Sequence, residues 1–348
     1  MSPKTFIGFT LITVLVVVAA GFSIANRYSV HKVGSEDKPV FPGFAEKVSL
    51  VEEIVVQNSK KILTIKRDGK VWVMADRQNY LASGEVVRAL MLGLSELRLR
   101  EAKTRKPDFY PRLQVEDLKI KKAKSILLTV NGKKGELARL IIGKINNDVA
   151  GSSNVGRYIR RPEEKQSWLA SGRLDVPMEV NKWVDPEFLD ITSSRVEKVT
   201  VNHPDGSKMI ASRVGEKKFK ILNMPDNMVV EYQSDIDNMG DGLDKLELED
   251  VAAAGKIKFA RDNTIKTRIQ TNDGLIINVK MVDINNGSFW ASFKAIAGSM
   301  ANDSVKKEVD SINARVANWV YELPAHKYRY MSRKHSDVLK DPKIKKKK

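Results

Sequence analysis

Cysteine is absent from this chain. Disulfides, thiolate nucleophiles and cysteine-ligated zinc or iron–sulfur centres are therefore excluded, while the redox compartment stays open. Only four histidines occur, at positions 31, 203, 326 and 335. None has a histidine partner one helical turn away, and a zinc site needs three or four convergent ligands. No Gly-x-Ser-x-Gly elbow, phosphate-binding loop or dinucleotide fingerprint is present. Gly151-Ser152-Ser153-Asn154-Val155-Gly156 is small and polar, but lacks the Lys-Ser/Thr pair of a phosphate loop and reads as a plain loop. No catalytic residue, cofactor site or metal site is expected, and the chain is read as a non-enzyme.

Long hydrophobic runs are also scarce, with one exception. From Thr5 to Asn26 there is no charge, and Lys4 and Arg27 bracket the run. About 20 apolar residues in a helix span the hydrocarbon core of a bilayer. Residues 1–27 are therefore expected to form an uncleaved transmembrane signal anchor. Ser23-Ile24-Ala25 offers a small-x-small cleavage site, but the apolar run exceeds that of an ordinary signal peptide. The expected location is the inner (cytoplasmic) membrane, single-pass, with the body on the periplasmic side.

What the chain has in excess is positive charge, a net +17. Lys343 and Lys345 to Lys348 supply five of the seventeen, leaving twelve on the rest. Such an excess favours anionic partners, and beside a membrane the nearest anion is the lipid headgroup. The basic clusters are Arg98, Arg100, Lys103, Arg105 and Lys106, then Lys119, Lys121, Lys122 and Lys124. Arg98, Arg100, Lys103, Arg105, Lys121 and Lys122 are the candidate headgroup-facing residues. No aromatic stacking motif interleaves them, so nucleic acid is not an expected partner.

The rest reads as an α+β body. Residues 28–44 form a linker closed by Phe41-Pro42-Gly43-Phe44, an apolar plug at the domain edge. Glu53–Val56 and Ile62–Ile65 read as strands, Asp68-Gly69 as a hairpin turn, and Lys70–Val73 as its return. Gly84–Leu99 has apolar residues at helical spacing. Ser125–Val130 and Leu137–Ile142 read as a second hairpin turning at Asn131-Gly132. The same order recurs about 145 residues later, as duplicated modules do. Val51–Val56 matches Val196–Val201, the helix end Leu94–Ala102 matches Leu243–Val251, and Leu128–Gly132 matches Ile269–Gly274. The expected organisation is a first repeat at 45–192, a second at 193–300, a C-terminal helical segment at 301–340 and a Lys-rich tail at 341–348.

Asp235, Asp237, Asp241 and Asp244 fall at helical spacing and read as a solvated face. Trp319, Tyr321 and Leu323 end an amphipathic run from Val305 through Ile312 and Val316. They are candidates for docking that helix on the body or for meeting a partner.

Several short motifs occur in order along the chain: Phe41-Pro42-Gly43-Phe44, Asp68-Gly69-x-x-Trp72, Tyr80-Leu81-Ala82, Lys103-Thr104, Tyr110-x-x-Leu113, Trp183-Val184-Asp185 and Asn313 to Pro324. With the N-terminal run, they make the chain resemble a bacterial family of unknown function whose members accompany gliding-motility-type ABC transporter components. The Lys-rich tail departs from that pattern. The resemblance implies an accessory or scaffolding subunit of an envelope transport system, partnered by an ABC-type permease or auxiliary membrane subunit, with anionic lipid as a further contact. It brings no catalytic residues. A second expectation is an extracytoplasmic module that binds an envelope lipid or glycan in a cleft between the repeats.

Overall fold

The computed structural model describes residues 37–146, 156–285 and 287–342. The expected anchor, most of the linker, most of the 151–156 loop and nearly all of the Lys-rich tail lie outside these residues. Among the described residues no helix is long and apolar enough to cross a membrane. The chain is α+β and strand-rich. It divides into two compact units. One comprises residues up to Arg67 together with Val87–Met178, and the other Asp68–Val86 together with residues from Glu179 onward.

In chain order the first part contains β1 (Lys38–Pro39), α1 (Phe44–Lys47), β2 (Val51–Gln57), β3 (Ile62–Asp68), β4 (Val71–Met74), β5 (Tyr80–Ala82), α2 (Gly84–Glu96), β6 (Arg98–Ala102), α3 (Tyr110–Leu113), β7 (Ile126–Gly132), β8 (Gly135–Asn146), β9 (Gly156–Arg160) and β10 (Ser167–Ser171). In the first unit the strands run β1-β6-β10-β9-β8-β7-β2-β3, every neighbouring pair antiparallel. Alternation sends Ile54, Val56, Leu128, Val130 and Leu140 into the core. From α2, Val87, Leu90, Met91 and Leu94 are buried. Phe44 is buried too, as expected of the plug, and Gly43 takes a left-handed φ of 69° to turn it inward.

The second part continues with β11 (Glu187–Leu189), β12 (Val196–Asn202), β13 (Lys208–Gly215), β14 (Lys218–Ile221), β15 (Val229–Val230), α4 (Gln233–Asp237), β16 (Leu246–Glu247), β17 (Asp250–Ala253), β18 (Ile265–Thr271), β19 (Leu275–Ile284), β20 (Ser288–Ala297), α5 (Asp303–Val316), β21 (Trp319–Glu322), α6 (Ala325–Met331), α7 (His335–Val338) and β22 (Leu339–Lys340). Its main sheet runs β14-β13-β12-β18-β19-β20-β21-β17, again antiparallel throughout. The orders β3-β2-β7-β8-β9-β10-β6 and β13-β12-β18-β19-β20-β21-β17 correspond strand for strand. A 3-10 turn precedes each leading strand, Val48–Leu50 before β2 and Ser193–Arg195 before β12. The register also shifts at matching places, between Val51 and Glu53 and between Val196 and Lys198.

The observed division departs from the expected boundaries in three places. Residues 179–192 fall in the second unit rather than the first, because β11 pairs with β16. Asp68–Val86 belongs to the second unit, because β4 and β5 bring Arg77 onto Asp250 through paired bonds of 2.7 and 2.8 Å, and Ser83 N–H onto the Trp183 carbonyl at 2.7 Å. The segment beyond residue 300 is not a separate body, because β21 is hydrogen-bonded between β20 and β17.

Three local expectations are also corrected. The β7–β8 hairpin turns at Lys133-Lys134, not Asn131-Gly132. A bulge after Val130 extends the pairing to Gly132 and Gly135, and the Asn131 amide donates to Glu53. The counterpart of α2 is only the five-residue α4 and a 3-10 turn, in which a Cβ at Gly240 would lie 2.5 Å from the Phe219 ring. Asp235, Asp237, Asp241 and Asp244 are half-buried and engaged. Arg333 pairs with Asp235 at 2.6 Å, Phe219 N–H donates to Asp237 at 2.9 Å, and Lys327 donates to the Asp241 and Asp244 carbonyls.

Candidate functional site

In the first unit, residues 103–125 leave β6 and cross before returning as β7. Ser167, fully buried, clamps the start. Its N–H and hydroxyl both donate to the Thr104 carbonyl, at 2.8 and 2.9 Å. Further on, the Tyr110 hydroxyl donates to the Lys165 carbonyl at 2.6 Å. Arg160, 3% exposed, organises the stretch beyond Tyr110. Its guanidinium lies 4.6 Å from the Tyr110 ring centre. It donates to the Val115 carbonyl at 3.0 Å and pairs with Asp117 at 2.7 Å. Ser125 and Ser59 hydroxyls then hold the Glu116 and Ala123 carbonyls at 2.7 and 3.1 Å. The turn Leu118–Lys122 is thus fixed at both ends.

Below this turn lies the sheet face that does not meet the main core. Gln57, Leu127, Ile141 and Arg160 face one another in register across β2, β7, β8 and β9. Ile141, with Tyr110 and Val115, forms a second small core that Leu113, Leu127 and Tyr158 extend. Between the row and the turn is a cleft of about 630 Å³. Leu118, Ile120, Leu127 and Ile141 give it an apolar lining, and Lys119, Arg139 and Gln57 add polar groups. Its size falls within the range of sites for small organic ligands.

The structure separates the basic residues picked from the sequence. Arg98 donates to the Asp37 carbonyl at 2.9 Å, Arg100 to the Ser171 hydroxyl at 2.7 Å and Arg105 to Gln166 at 2.9 Å. Lys103 pairs with Glu101 at 2.7 Å. All four lie on or just after β6. Lys121 and Lys122 sit on the turn beside the cleft, exposed. The sheet order sets β6 three strand spacings, about 14 Å, from β8, so the six residues are two groups. Lys119 and Arg139 join the second group. Sequence reading missed the cleft floor. Its signal is the double-faced apolar runs Leu127-Leu128 and Leu140-Ile141-Ile142, where a half-exposed antiparallel strand would alternate.

In the second unit, Trp319, Tyr321 and Leu323 pack inward. Tyr321 is fully buried and stacks on Phe188 at 3.8 Å with 7° between the planes. Burial, and then the neighbouring Tyr80 hydroxyl, push its own hydroxyl far above the usual phenol range. Trp319 meets Tyr80 edge-on at 4.9 Å. Leu323 is 1% exposed. Of the two roles expected for this patch, these contacts are internal ones, and Tyr321 and Leu323 have no surface to offer a partner. Helix α5 docks through Asn313, whose amide exchanges two 2.9 Å hydrogen bonds with the Ala295 backbone. Among the described residues no group of three or more His, Asp or Glu side chains could hold a metal ion.

Fold and site together define a strand-rich α+β protein with a ligand-sized cleft on an outer sheet face. Residues 72–266, more than half the chain, match the family described as a domain of unknown function (DUF4340), and the chain belongs to that family. That description names no activity. No curated protein and no solved structure matches the chain.

Proposed function

We propose that this protein is a non-catalytic, membrane-anchored accessory or scaffolding subunit of an ABC-type, gliding-motility-like envelope transport system. The observation that carries the proposal is the uncharged run from Thr5 to Asn26, bracketed by Lys4 and Arg27. It acts as a single-pass anchor in the inner membrane and leaves the body in the periplasm. Tethering raises the local concentration of the body beside a permease or auxiliary membrane subunit without any new contact. The basic groups add attraction to anionic headgroups. The strand-for-strand correspondence of the two sheets supports an internal duplication as the origin of the body. Duplication gives a scaffold two related surfaces rather than a reaction centre.

Crosslinking in intact membranes followed by purification of the full chain tests the reading. Recovery of a permease or transport ATPase is the expected result, and recovery without any transporter component overturns it. Labelling introduced surface cysteines with a membrane-impermeant reagent in outer-membrane-permeabilised cells tests the orientation. Complete protection of the body would place it in the cytoplasm.

A further inference from the structure

We propose that the cleft of the first unit binds a single anionic amphiphile, an acyl chain bearing an anionic head. The chain lies along Leu118, Ile120 and Leu127, over the buried Ile141, and the head sits on Lys119, Lys121 and Lys122. This goes beyond the transport reading and stands whether or not a permease is the partner.

Three observations converge. The first is the floor. Leu127 and Ile141 face each other across β7 and β8 on the sheet side away from the main core, where solvent-facing strands ordinarily carry polar residues. The covering segment buries Ile141 to 1% exposure yet leaves about 630 Å³ open beside it. The second is charge. Asp117 is engaged by Arg160 at 2.7 Å and Arg139 by Glu163 at 3.2 Å, so these ionic groups neutralise one another within the protein. Lys119, Lys121 and Lys122 are exposed, and among the described residues none has an ion-pair partner. Lys119 therefore brings a positive charge without an ion-pair partner to the cleft lining, and Lys121 and Lys122 add two more on the turn that carries it. The third is preorganisation. Ile120, 53% exposed, is held among these lysines by a turn pinned at Val115, Asp117, Glu116 and Ala123. An apolar trough with a few fixed polar groups, formed before the ligand arrives, is the usual design of a small-molecule site. A neutral lipid would leave the lysines unused, and an anion without a chain would leave the trough unused.

The test uses the full chain in phosphatidylcholine nanodiscs with three photoreactive probes carrying a diazirine in the acyl chain: palmitate, phosphatidylglycerol and phosphatidylcholine. Mass spectrometry maps the labelled residues. Label from one or both anionic probes is expected on peptides spanning residues 118–127 and 139–141, about tenfold above the neutral probe. Which anionic probe labels identifies the source as a free acyl acid or a phospholipid. Replacing Lys119, Lys121 and Lys122 together by Gln is expected to lower that label by about tenfold or more, with label on residues 5–26 as the internal control. Ile120→Asp lowers it independently. All four positions are exposed, and circular dichroism checks that the sheets persist. Equal labelling by phosphatidylcholine, label confined to residues 5–26, or a triple variant labelled like the parent would each overturn the assignment.

Discussion

The two units carry seven strands in the same neighbour order, and they differ in where the chain is lengthened between those strands. In the first unit the long connection is residues 103–125, between β6 and β7. It lies over the outer sheet face and is pinned by Arg160, leaving a cleft lined by Leu127 and Ile141. In the second unit the long connection falls between β20 and β21 and folds as α5. Val305, Val309, Ile312 and Val316 of α5 are buried. Aromatic rings also fill this unit: Phe188 stacks on Tyr321 and meets Phe293 edge-on at 5.3 Å. One sheet plan thus carries a crossing segment with a cleft beneath it in the first unit and a helix with a buried apolar side in the second. Topology fixes which strands are neighbours, and the insertions decide what packs against them.

Substitutions that strike one unit and spare the other break this comparison most directly. Phe188→Ala removes a ring that is 2% exposed in the second unit and is expected to cost about 3–5 kcal/mol. Urea denaturation measures the loss, and hydrogen exchange should place it in β11, β20 and β21. An unchanged midpoint would mean that the ring stack does not hold that unit. Gly143→Ala strikes the first unit. Its Cβ would lie 2.3 Å from the Leu113 carbonyl oxygen, so the backbone of α3 or β8 must shift, at about 1–3 kcal/mol. Thermal melting reads that loss, and the shift should also deform the cleft. A stable variant with unaltered amphiphile labelling would show that the close approach of α3 is dispensable.

A smaller effect is expected at the start of α5. Asn302 caps the helix by accepting from Val305 N–H at 3.0 Å, and Asn302→Ala is expected to cost about 1 kcal/mol. Equilibrium denaturation would show whether the helix depends on its cap or only on its buried face.

The mildest prediction concerns acid. The three histidines in the described residues all lie in the second unit, and burial holds each below the ordinary value of 6.5. The unfolded chain then takes up protons before the folded one, so their contribution is complete above pH 6.5 and declines as pH falls below it. His203 has one ring nitrogen 3.3 Å from the Arg333 carbonyl and the other buried without a partner. His203→Gln should flatten the acid limb of a stability–pH curve measured on the full chain. Equal acid sensitivity in exchange rates of both units would show that carboxylates, not histidines, set it.

Much of this fold could be read locally. Alternation in Val51–Val56 and Val196–Val201 placed β2 and β12, and helical spacing placed α2 and α5, because each pattern repeats within a few residues. Turn chemistry was less secure. Asn272-Asp273-Gly274 does join β18 to β19, whereas Asn131-Gly132 lies within a strand, since a bulge and the Glu53 contact outweigh its turn preference. The candidate site was half legible. Lys119, Lys121 and Lys122 stand out as charge, but Arg160 is one arginine among many until the fold buries it beneath three carbonyls and a carboxylate.

The sequence alone determined the anchor-length apolar run, the positive excess, the absence of cysteine chemistry and the period of the longer strands and helices, because composition and periodicity are properties of contiguous residues. Only the tertiary structure decided that Asp68–Val86 joins the second unit, that Tyr321 and Leu323 turn inward, and that Leu127 and Ile141 floor a cleft. Each of those outcomes depends on what packs over a side chain from a distant part of the chain, and burial of that kind has no local signature.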